Sequence, residues 1–407
     1  MLKCGLLGRK LGHSYSPAIH AMLADYGYSL YEKEPEELES FLLHSDIDGL
    51  NVTMPYKKTV LPYCRELSPL AEALGSVNTI VRRPDGSLYG DNTDAYGFKS
   101  LVAHSSIEPR GKKALVLGSG GASVTVTAML KELGADPVLV ISRSGENDYN
   151  SLDRHRDAQV IVNTTPVGMY PDNGKAPLDL RLFLGLAGVL DIVYNPARTA
   201  LLLQAEELGL PHAGGLYMLV AQAKRSAELF TGSDIPDSRI AQICSALSRD
   251  MENIVLVGMP SSGKSSLGRL LAERLGRPLY ESDVWVEEAA AMPISHIFES
   301  QGEEVFRRLE TRALEDLGKL SGAVISTGGG CVTRPENYPL LHQNGRILWL
   351  RRSTDKLEKT GRPISLSTDL DELYRRREPL YRAFADLEIS NDGSLEEALE
   401  RALEVLR

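Results

Sequence analysis

The segment Gly258-Met259-Pro260-Ser261-Ser262-Gly263-Lys264-Ser265 follows an apolar run, Ile254 to Val257, and opens an amphipathic stretch, Leu267 to Leu275. This is a P-loop in its required strand–loop–helix setting: glycines bring backbone N–H groups to a helix N-terminus, where anions are favoured. It commits the second part of the chain to an α/β domain. A glycine-rich turn far upstream, Gly118-Ser119-Gly120-Gly121, has the form of a dinucleotide loop. One polypeptide therefore carries two nucleotide-type loops, and two chemistries are to be explained.

A chain of 407 residues has room for about two to three domains. Its apolar and charged fractions, 43% and 25%, are those of ordinary globular protein. A formal net charge of −10 argues against a general nucleic-acid or membrane-surface binder and leaves local basic pockets for small anions. Cys4, Cys64, Cys244 and Cys331 have no C-x-x-C spacing, so neither a zinc site nor a disulfide framework is expected, and a cytoplasmic setting is. Arg9 and Lys10 interrupt the N-terminal apolar residues, so no export signal is expected. The longest apolar run, Leu182 to Leu190, is far short of the roughly 20 residues that span a bilayer.

Short strand-like runs at Gly5 to Leu7, Gly49 to Val52 and Thr79 to Val81 alternate with helical periodicity over Pro17 to Tyr26 and Pro35 to Leu43. This reads as a small α/β lobe. Strand-like runs at Lys113 to Gly118, Pro137 to Ile141, Val160 to Val162 and Gly188 to Ile192, with a helix over Ala122 to Leu133, read as a doubly wound Rossmann-type sheet. The polar stretch Ser245 to Asn253 reads as the separator before the P-loop strand. Beyond it, Ala323 to Ser326 and Arg346 to Leu350 read as strands and Leu395 to Leu406 as a closing amphipathic helix. The expected division is 1–101, completed by a helix over 233–248, then 102–232, then 251–407.

In the first loop, Gly118, Ser119, Gly120, Gly121 and Ala122 let backbone approach a pyrophosphate at a helix N-terminus. Where an acidic residue would bind a ribose 2′-hydroxyl, the chain has Ser142-Arg143, a hydroxyl and a guanidinium suited to a 2′-phosphate. NADP(H) is thus favoured over NAD. Further motifs fall in order: His13-Ser14-Tyr15-Ser16-Pro17, Asn51-Val-Thr53-Met-Pro55-Tyr-Lys57, Ser76-Val-Asn78-Thr79, Gly90-Asp-Asn-Thr-Asp94, Asn163-Thr-Thr165, Asp191-Ile-Val-Tyr194 and Gly215 to Gln222. With these, residues 1–250 resemble shikimate dehydrogenase. The resemblance implies that Ser14, Ser16, Thr53, Asn78, Tyr194 and Gln222 hold a polyhydroxylated cyclohexene carboxylate. It implies too that Lys57 and Asp94 bracket the reduced carbon, and that Thr164, Ile192 and Gly215 join the cofactor site. Singly, Lys57 reads as a solvated lysine and Asp94 as a cap residue; the ordered set gives them their roles. Hydride delivery to a ketone builds charge on oxygen, which an ammonium can stabilise and protonate. Lys10 stands where that family usually has proline.

In the P-loop, backbone from Ser261 through Ser262 and Gly263 to Lys264 is expected to cradle phosphates, with Ser266 alongside. Lys264 reaches the transferring group, and the Ser265 hydroxyl faces Mg²⁺. Glu281-Ser-Asp283, Gly302 to Glu310, Ser326-Thr-Gly328-Gly329-Gly330, Arg362-Pro363 and Arg377-Glu-Pro379-Leu-Tyr381 follow. On these, residues 251–407 resemble shikimate kinase, a nucleoside-monophosphate-kinase-like fold that uses ATP. The resemblance implies that Asp283 accepts a bond from a substrate hydroxyl, Arg307 and Arg377 grip the carboxylate, Gly329 admits the ring, and Arg362 covers the phosphates from a lid. Three departures stand out: Glu281 replaces the family's first aspartate, the stretch Leu357 to Arg362 is shorter than the usual lid approach, and Ala383 replaces a glutamate.

The two resemblances converge on one small molecule, because the ketone reduced by the first site becomes the hydroxyl phosphorylated by the second. The expectation is a bifunctional enzyme of small-molecule substrates. The alternatives are a dehydrogenase that takes quinate, or a metabolite sensor whose kinase-like part has lost activity. The sequence leaves the oligomeric state open.

Overall fold

The computed structural model describes residues 1–12, 14–357 and 369–406. The chain divides into two compact units. The first comprises Met1–Met169, Lys175–Tyr194 and Leu201–Ala246; the second comprises the chain from Leu247 onward together with Tyr170–Gly174 and Asn195–Ala200.

The first unit holds two sheets. One contains β1 (Lys3–Gly8), β2 (Gly27–Glu32), β3 (Gly49–Val52), β4 (Glu66–Leu67), β5 (Thr79–Arg82) and β6 (Leu88–Asp91), in the order β2-β1-β3-β5-β6-β4. β1 runs parallel to β2 and β3, while β5 is antiparallel to β3 and β6. Leu7, Leu50, Val52 and Ile80 from these strands bury against Leu38 and Leu42 of the helix Leu38–His44. The expected Pro35 to Leu43 helix begins as a 3-10 turn, Pro35–Glu37. β2 gave no sequence signal because it is largely exposed and lacks apolar alternation, so backbone pairing to β1 defines it.

The other sheet contains β7 (Ala114–Leu117), β8 (Val138–Ile141), β9 (Val160–Asn163), β10 (Gly188–Asp191) and β11 (His212–Ala213), all parallel, in the order β11-β10-β9-β7-β8. Alternate residues enter opposite cores. Ala114, Val116, Val160 and Val162 face one, and Leu115, Leu117, Ile161 and Val189 the other. That two-sided burial is why these strands read as continuous apolar runs. Truncating Leu115, fully buried here, would cost about 2–5 kcal/mol. The strand order reverses between β7 and β9, which places a crevice beyond their carboxyl ends.

The second unit has one parallel sheet: β12 (Asn253–Val257), β13 (Leu279–Glu281), β14 (Val324–Ser326), β15 (Gly345–Arg351) and β16 (Leu387–Ser390), in the order β13-β14-β12-β15-β16. Central β12 is buried throughout. Leu267 and Leu271 of the helix Lys264–Leu275 pack on Ile254 and Leu256.

The polar stretch expected to separate the parts contains the division between the two units, which falls between Ala246 and Leu247. It is largely the end of the helix Ser238–Met251, and β12 begins at Asn253. Ile240, Ile243 and Leu247 are buried at helical spacing, and that stripe carries the polar residues between them. Arg239 also donates to the Met22 carbonyl at 2.8 and 3.1 Å. Among the described residues no helix is long and apolar enough to cross a membrane.

Candidate active sites

Lys57 lies in the turn that follows β3, where its carbonyl accepts from the Val77 N–H at 2.8 Å. Asp94 opens the helix Asp94–Ser105. Their side chains meet at 2.6 Å, with the Lys57 ammonium donating to Asp94 Oδ2. Only 7% of the Asp94 side chain is exposed, so water screens this pair poorly. Asn78 Nδ2 donates to the other Asp94 oxygen at 2.9 Å and reaches Gln222 Oε1 at 3.4 Å. Gln222 arrives on the helix Leu216–Thr231. The two helices can approach because Gly97 has no side chain: a Cβ there would lie 2.7 Å from the Met218 carbonyl oxygen and 3.1 Å from Gln222 Cβ.

A set of residues not chosen from the sequence holds Asn78 in place. Asn78 Oδ1 accepts from the Thr93 N–H at 2.7 Å and from the Thr79 and Thr93 hydroxyls at 3.1 Å. Ser226, fully buried, sits within hydrogen-bond reach of both threonines and accepts from Asn51 Nδ2 at 2.7 Å. Ser226 stands four residues after Gln222, on the same helix face, and that spacing was the available signal. Tyr28 donates to Asn51 Oδ1 at 2.8 Å and stacks on the buried His20 ring. Burial pushes His20 down to about 3, against a smaller opposing hydrogen bond from Asn51.

Ser14 and Ser16 lie at the start of the helix Ser16–Leu23, with the Ser16 N–H donating to Ser14 Oγ at 3.2 Å. Tyr194 packs edge-on against Tyr15, ring centroids 5.8 Å apart, and burial raises its phenol. The Thr53 N–H is held by the Leu7 carbonyl at 2.9 Å.

The glycine loop leaves β7 at Gly118, whose φ of +101° suits glycine and whose Cβ would lie 2.8 Å from Thr165 Cγ2. Gly120 and Gly121 differ, since a Cβ on either meets nothing within 4 Å. Beside open space at the start of the helix Gly121–Glu132, with Ser119 and Ala122 flanking, these positions fit a pyrophosphate. The Thr164 N–H and hydroxyl both bond the Leu117 carbonyl, at 2.9 and 2.6 Å. Gly215 and Ile192 meet backbone to backbone: a Cβ on Gly215 would lie 2.0 Å from the Ile192 carbonyl oxygen. Ser142 is buried and donates its hydroxyl to the Ser144 carbonyl at 2.6 Å, whereas Arg143 is exposed just beyond β8.

In the second unit the P-loop backbone takes positive φ at Gly258 (+150°), Ser261 (+63°) and Gly263 (+96°). Lys264 is buried and donates to the Gly258 and Met259 carbonyls, each at 2.9 Å. The Ser262 N–H, expected to face phosphates, donates to the Met259 carbonyl at 3.2 Å, and its side chain is fully buried. Ser261, Gly263, Lys264, Ser265 and Ser266 line a cleft of ≈ 410 Å³, with Glu281 and Asp283 on its wall. A hydroxyl at Ser265 beside those carboxylates is a donor set that fits Mg²⁺ held with phosphates.

Gly328, Gly329 and Gly330 lie flat against the groups around them. A Cβ on Gly328 would be 2.4 Å from Glu310 Oε1, one on Gly329 2.6 Å from Pro260 Cδ, and one on Gly330 2.2 Å from Arg307 Nη2. Arg307 donates to Glu310 at 2.7 Å and to Glu303 at 3.1 Å. Arg377 donates to the Gly329 carbonyl at 3.0 Å, as does the Tyr381 hydroxyl at 2.5 Å. Burial raises the Glu310 carboxyl, and Arg307 beside it pulls the other way. Arg362 lies outside the described residues.

Two family models match the chain: "Shikimate dehydrogenase substrate binding domain" over residues 6–80 and "Shikimate kinase" over residues 260–407. Among curated relatives, a shikimate dehydrogenase (NADP(+)) of Clostridium perfringens strain SM101 is 34% identical over 256 residues, 58% of this chain and 94% of its own. Among solved structures, a chorismate mutase/shikimate 5-dehydrogenase fusion protein from Clostridium acetobutylicum matches with a TM-score of 0.57 and 34% identity, over 60% of this chain and 97% of that one. Shikimate 5-dehydrogenase from Thermus thermophilus, in complex with NADP(H) and shikimate, matches with a TM-score of 0.56 and 32% identity, over 60% of this chain and 99% of that one.

Proposed function

The chain belongs to the shikimate dehydrogenase family and carries a shikimate kinase domain behind it, and from that premise we propose a bifunctional enzyme that performs consecutive steps on one intermediate. The first is NADPH-dependent reduction of 3-dehydroshikimate to shikimate. The second is ATP-dependent phosphorylation of shikimate to shikimate 3-phosphate, on the route to chorismate and the aromatic amino acids. The observation that carries the reading is the coexistence of the Lys57–Asp94 pair at 2.6 Å and the P-loop cleft around Lys264 in one chain.

NADPH, when bound at the loop Gly118 to Ala122, supplies the hydride. Lys57 holds the ketone oxygen, stabilises the charge that develops there and delivers a proton to it, while Asp94 and Asn78 keep the ammonium aimed. Ser14, Ser16, Thr53, Tyr194 and Gln222 orient the ring. In the second site Ser265 would hold Mg²⁺ beside ATP, which would supply the phosphoryl group. Asp283 accepts the proton of the attacking hydroxyl, Arg307 and Arg377 hold the substrate carboxylate, and Lys264 turns from its loop carbonyls to the phosphates. Arg362 covers them. The division into 1–101 with 233–248, 102–232 and 251–407, and a cytoplasmic setting, belong to the same proposal.

The test incubates the protein with 3-dehydroshikimate, NADPH, ATP and Mg²⁺, and follows NADPH loss and shikimate 3-phosphate together. Both signals are expected. NADPH loss with accumulating shikimate would leave a reductase joined to a domain that binds without turnover, and a preference for quinate in the reverse direction would reassign the first substrate.

A further inference from the structure

At the carboxyl end of β15 the chain turns across the mouth of the P-loop. The contact is close, since a Cβ on Gly258 would lie 2.5 Å from the Leu350 carbonyl oxygen. The turn is pinned on both sides: the Asn391 N–H donates to the Arg351 carbonyl at 2.8 Å, and the Ser353 N–H to Asp392 Oδ1 at 2.7 Å. Asn391 also donates to the Ser262 carbonyl at 2.7 Å, which ties this turn to the phosphate loop. Arg351 points to Glu388 and pairs with it at 2.8 Å. Arg352, its neighbour, lines the P-loop cleft with Lys264, Ser265, Glu281 and Asp283. Its Nη1 lies 4.0 Å from the position a Cβ on Gly263 would take. Its Nε is shut away from solvent and has no hydrogen-bond partner among the described residues.

With Nε buried, the guanidinium is held in one orientation where it lines the cleft, and an anion there would be drawn to its charge. The same cleft presents the Lys264 ammonium and the P-loop backbone, so the anion that fits is a phosphate chain. A guanidinium fork matches two phosphate oxygens at once, which a lysine cannot do. We propose that Arg352 is a phosphate-binding residue of the kinase site, holding the polyphosphate of the nucleotide donor from the β15 side of the P-loop. The proposal rests on the kinase reading and adds a residue to it. Arg352 is mounted on a turn pinned to the sheet, so the fold itself sets its position.

The test uses the full chain with Arg352→Ala and Arg352→Lys, with dehydrogenase turnover of the same samples as an internal control. Nucleotide affinity is read by calorimetry with ADP and with adenosine, beside the KM values for ATP and shikimate. Arg352→Ala is expected to raise the KM for ATP and weaken ADP about tenfold, while adenosine affinity and the KM for shikimate stay within about twofold. Arg352→Lys should recover part of the loss by charge alone. An ATP KM changed less than twofold, or an equal loss for adenosine and ADP, overturns the proposal. If the alanine variant unfolds, the lysine variant decides alone: a KM for ATP unchanged from the parent rules out fork recognition. A parent that binds ADP but transfers no phosphoryl group would break the kinase reading and still leave the ADP comparison to judge Arg352.

Discussion

The two sites solve recognition in opposite ways. In the proposed dehydrogenase site Lys57 is already joined to Asp94 at 2.6 Å, and a neutral network of Asn78, Thr79, Thr93 and Ser226 surrounds the pair. In the kinase site Lys264 donates to the Gly258 and Met259 carbonyls and Arg377 to that of Gly329, while Arg307 is paired with Glu310 and Glu303. The difference follows from the ligands. A ketone and ring hydroxyls are read by fixed hydrogen-bond donors and acceptors, whereas phosphates and a carboxylate bring charge that draws cations off weaker carbonyl partners. The first site is preorganised by its own side chains. The second is completed by its ligands.

Silencing each site alone puts that contrast under the greatest strain. Lys57→Ala should cut dehydrogenase kcat/KM by about 10²–10⁴-fold and leave phosphorylation within twofold, and Lys264→Ala should do the reverse. Loss of both activities from either change, with the fold intact by circular dichroism, would join the sites into one.

The glycines probe it next. Gly330→Ala would drive a methyl into Arg307 and should raise the kinase KM for shikimate about 10–100-fold, because the displaced guanidinium loses its grip on the carboxylate. Gly120→Ala meets no protein atom within 4 Å, so the melting temperature should hold while the KM for NADPH rises about tenfold through lost backbone approach. Steady-state kinetics with a melting curve separates the two outcomes. Arg143→Gln should have a smaller effect, raising the KM for NADPH about three- to fivefold with little change for NADH, since it removes only the group suited to the 2′-phosphate.

Acid titration gives the smallest effects, with opposite signs in the two units. His20 is held near 3 by burial, so between pH 3 and the ordinary histidine range of about 6.5 the unfolded chain binds more protons and stability falls on acidification. The limit is about tenfold in the folding equilibrium per pH unit. Glu310 is raised by burial despite Arg307, so the folded second unit binds the extra proton above the ordinary glutamate range, and acidification there favours it. Denaturant midpoints at pH 7 and 5.5 for His20→Gln and Glu310→Gln should show each slope reduced. Unchanged slopes would remove these residues from the account.

Motifs of fixed local geometry are legible before folding. The P-loop, the turn at Gly118 and the buried strands β7, β9, β10 and β12 carry their signal in a few adjacent residues. The Ser245 to Asn253 stretch reads as a separator from its polar residues, and the division between the units falls within it; that it continues the helix Ser238–Met251 shows only in the stripe Ile240, Ile243 and Leu247. Arg352 carries no signal, being one arginine after a strand, and acquires meaning from the cleft it lines.

Neighbouring residues by themselves dictate two α/β parts, two nucleotide loops and Lys264, because loop geometry is a local property of the chain, whereas Lys57, Asp94, Arg307 and Arg377 are singled out by the family resemblance that the ordered motifs carry. Tertiary structure decided what touches what. Asp94 meets Lys57, Ser226 braces the threonines that hold Asn78, and Gly328 and Gly330 press on Glu310 and Arg307, through approaches of distant segments that depend on packing distances no local pattern encodes.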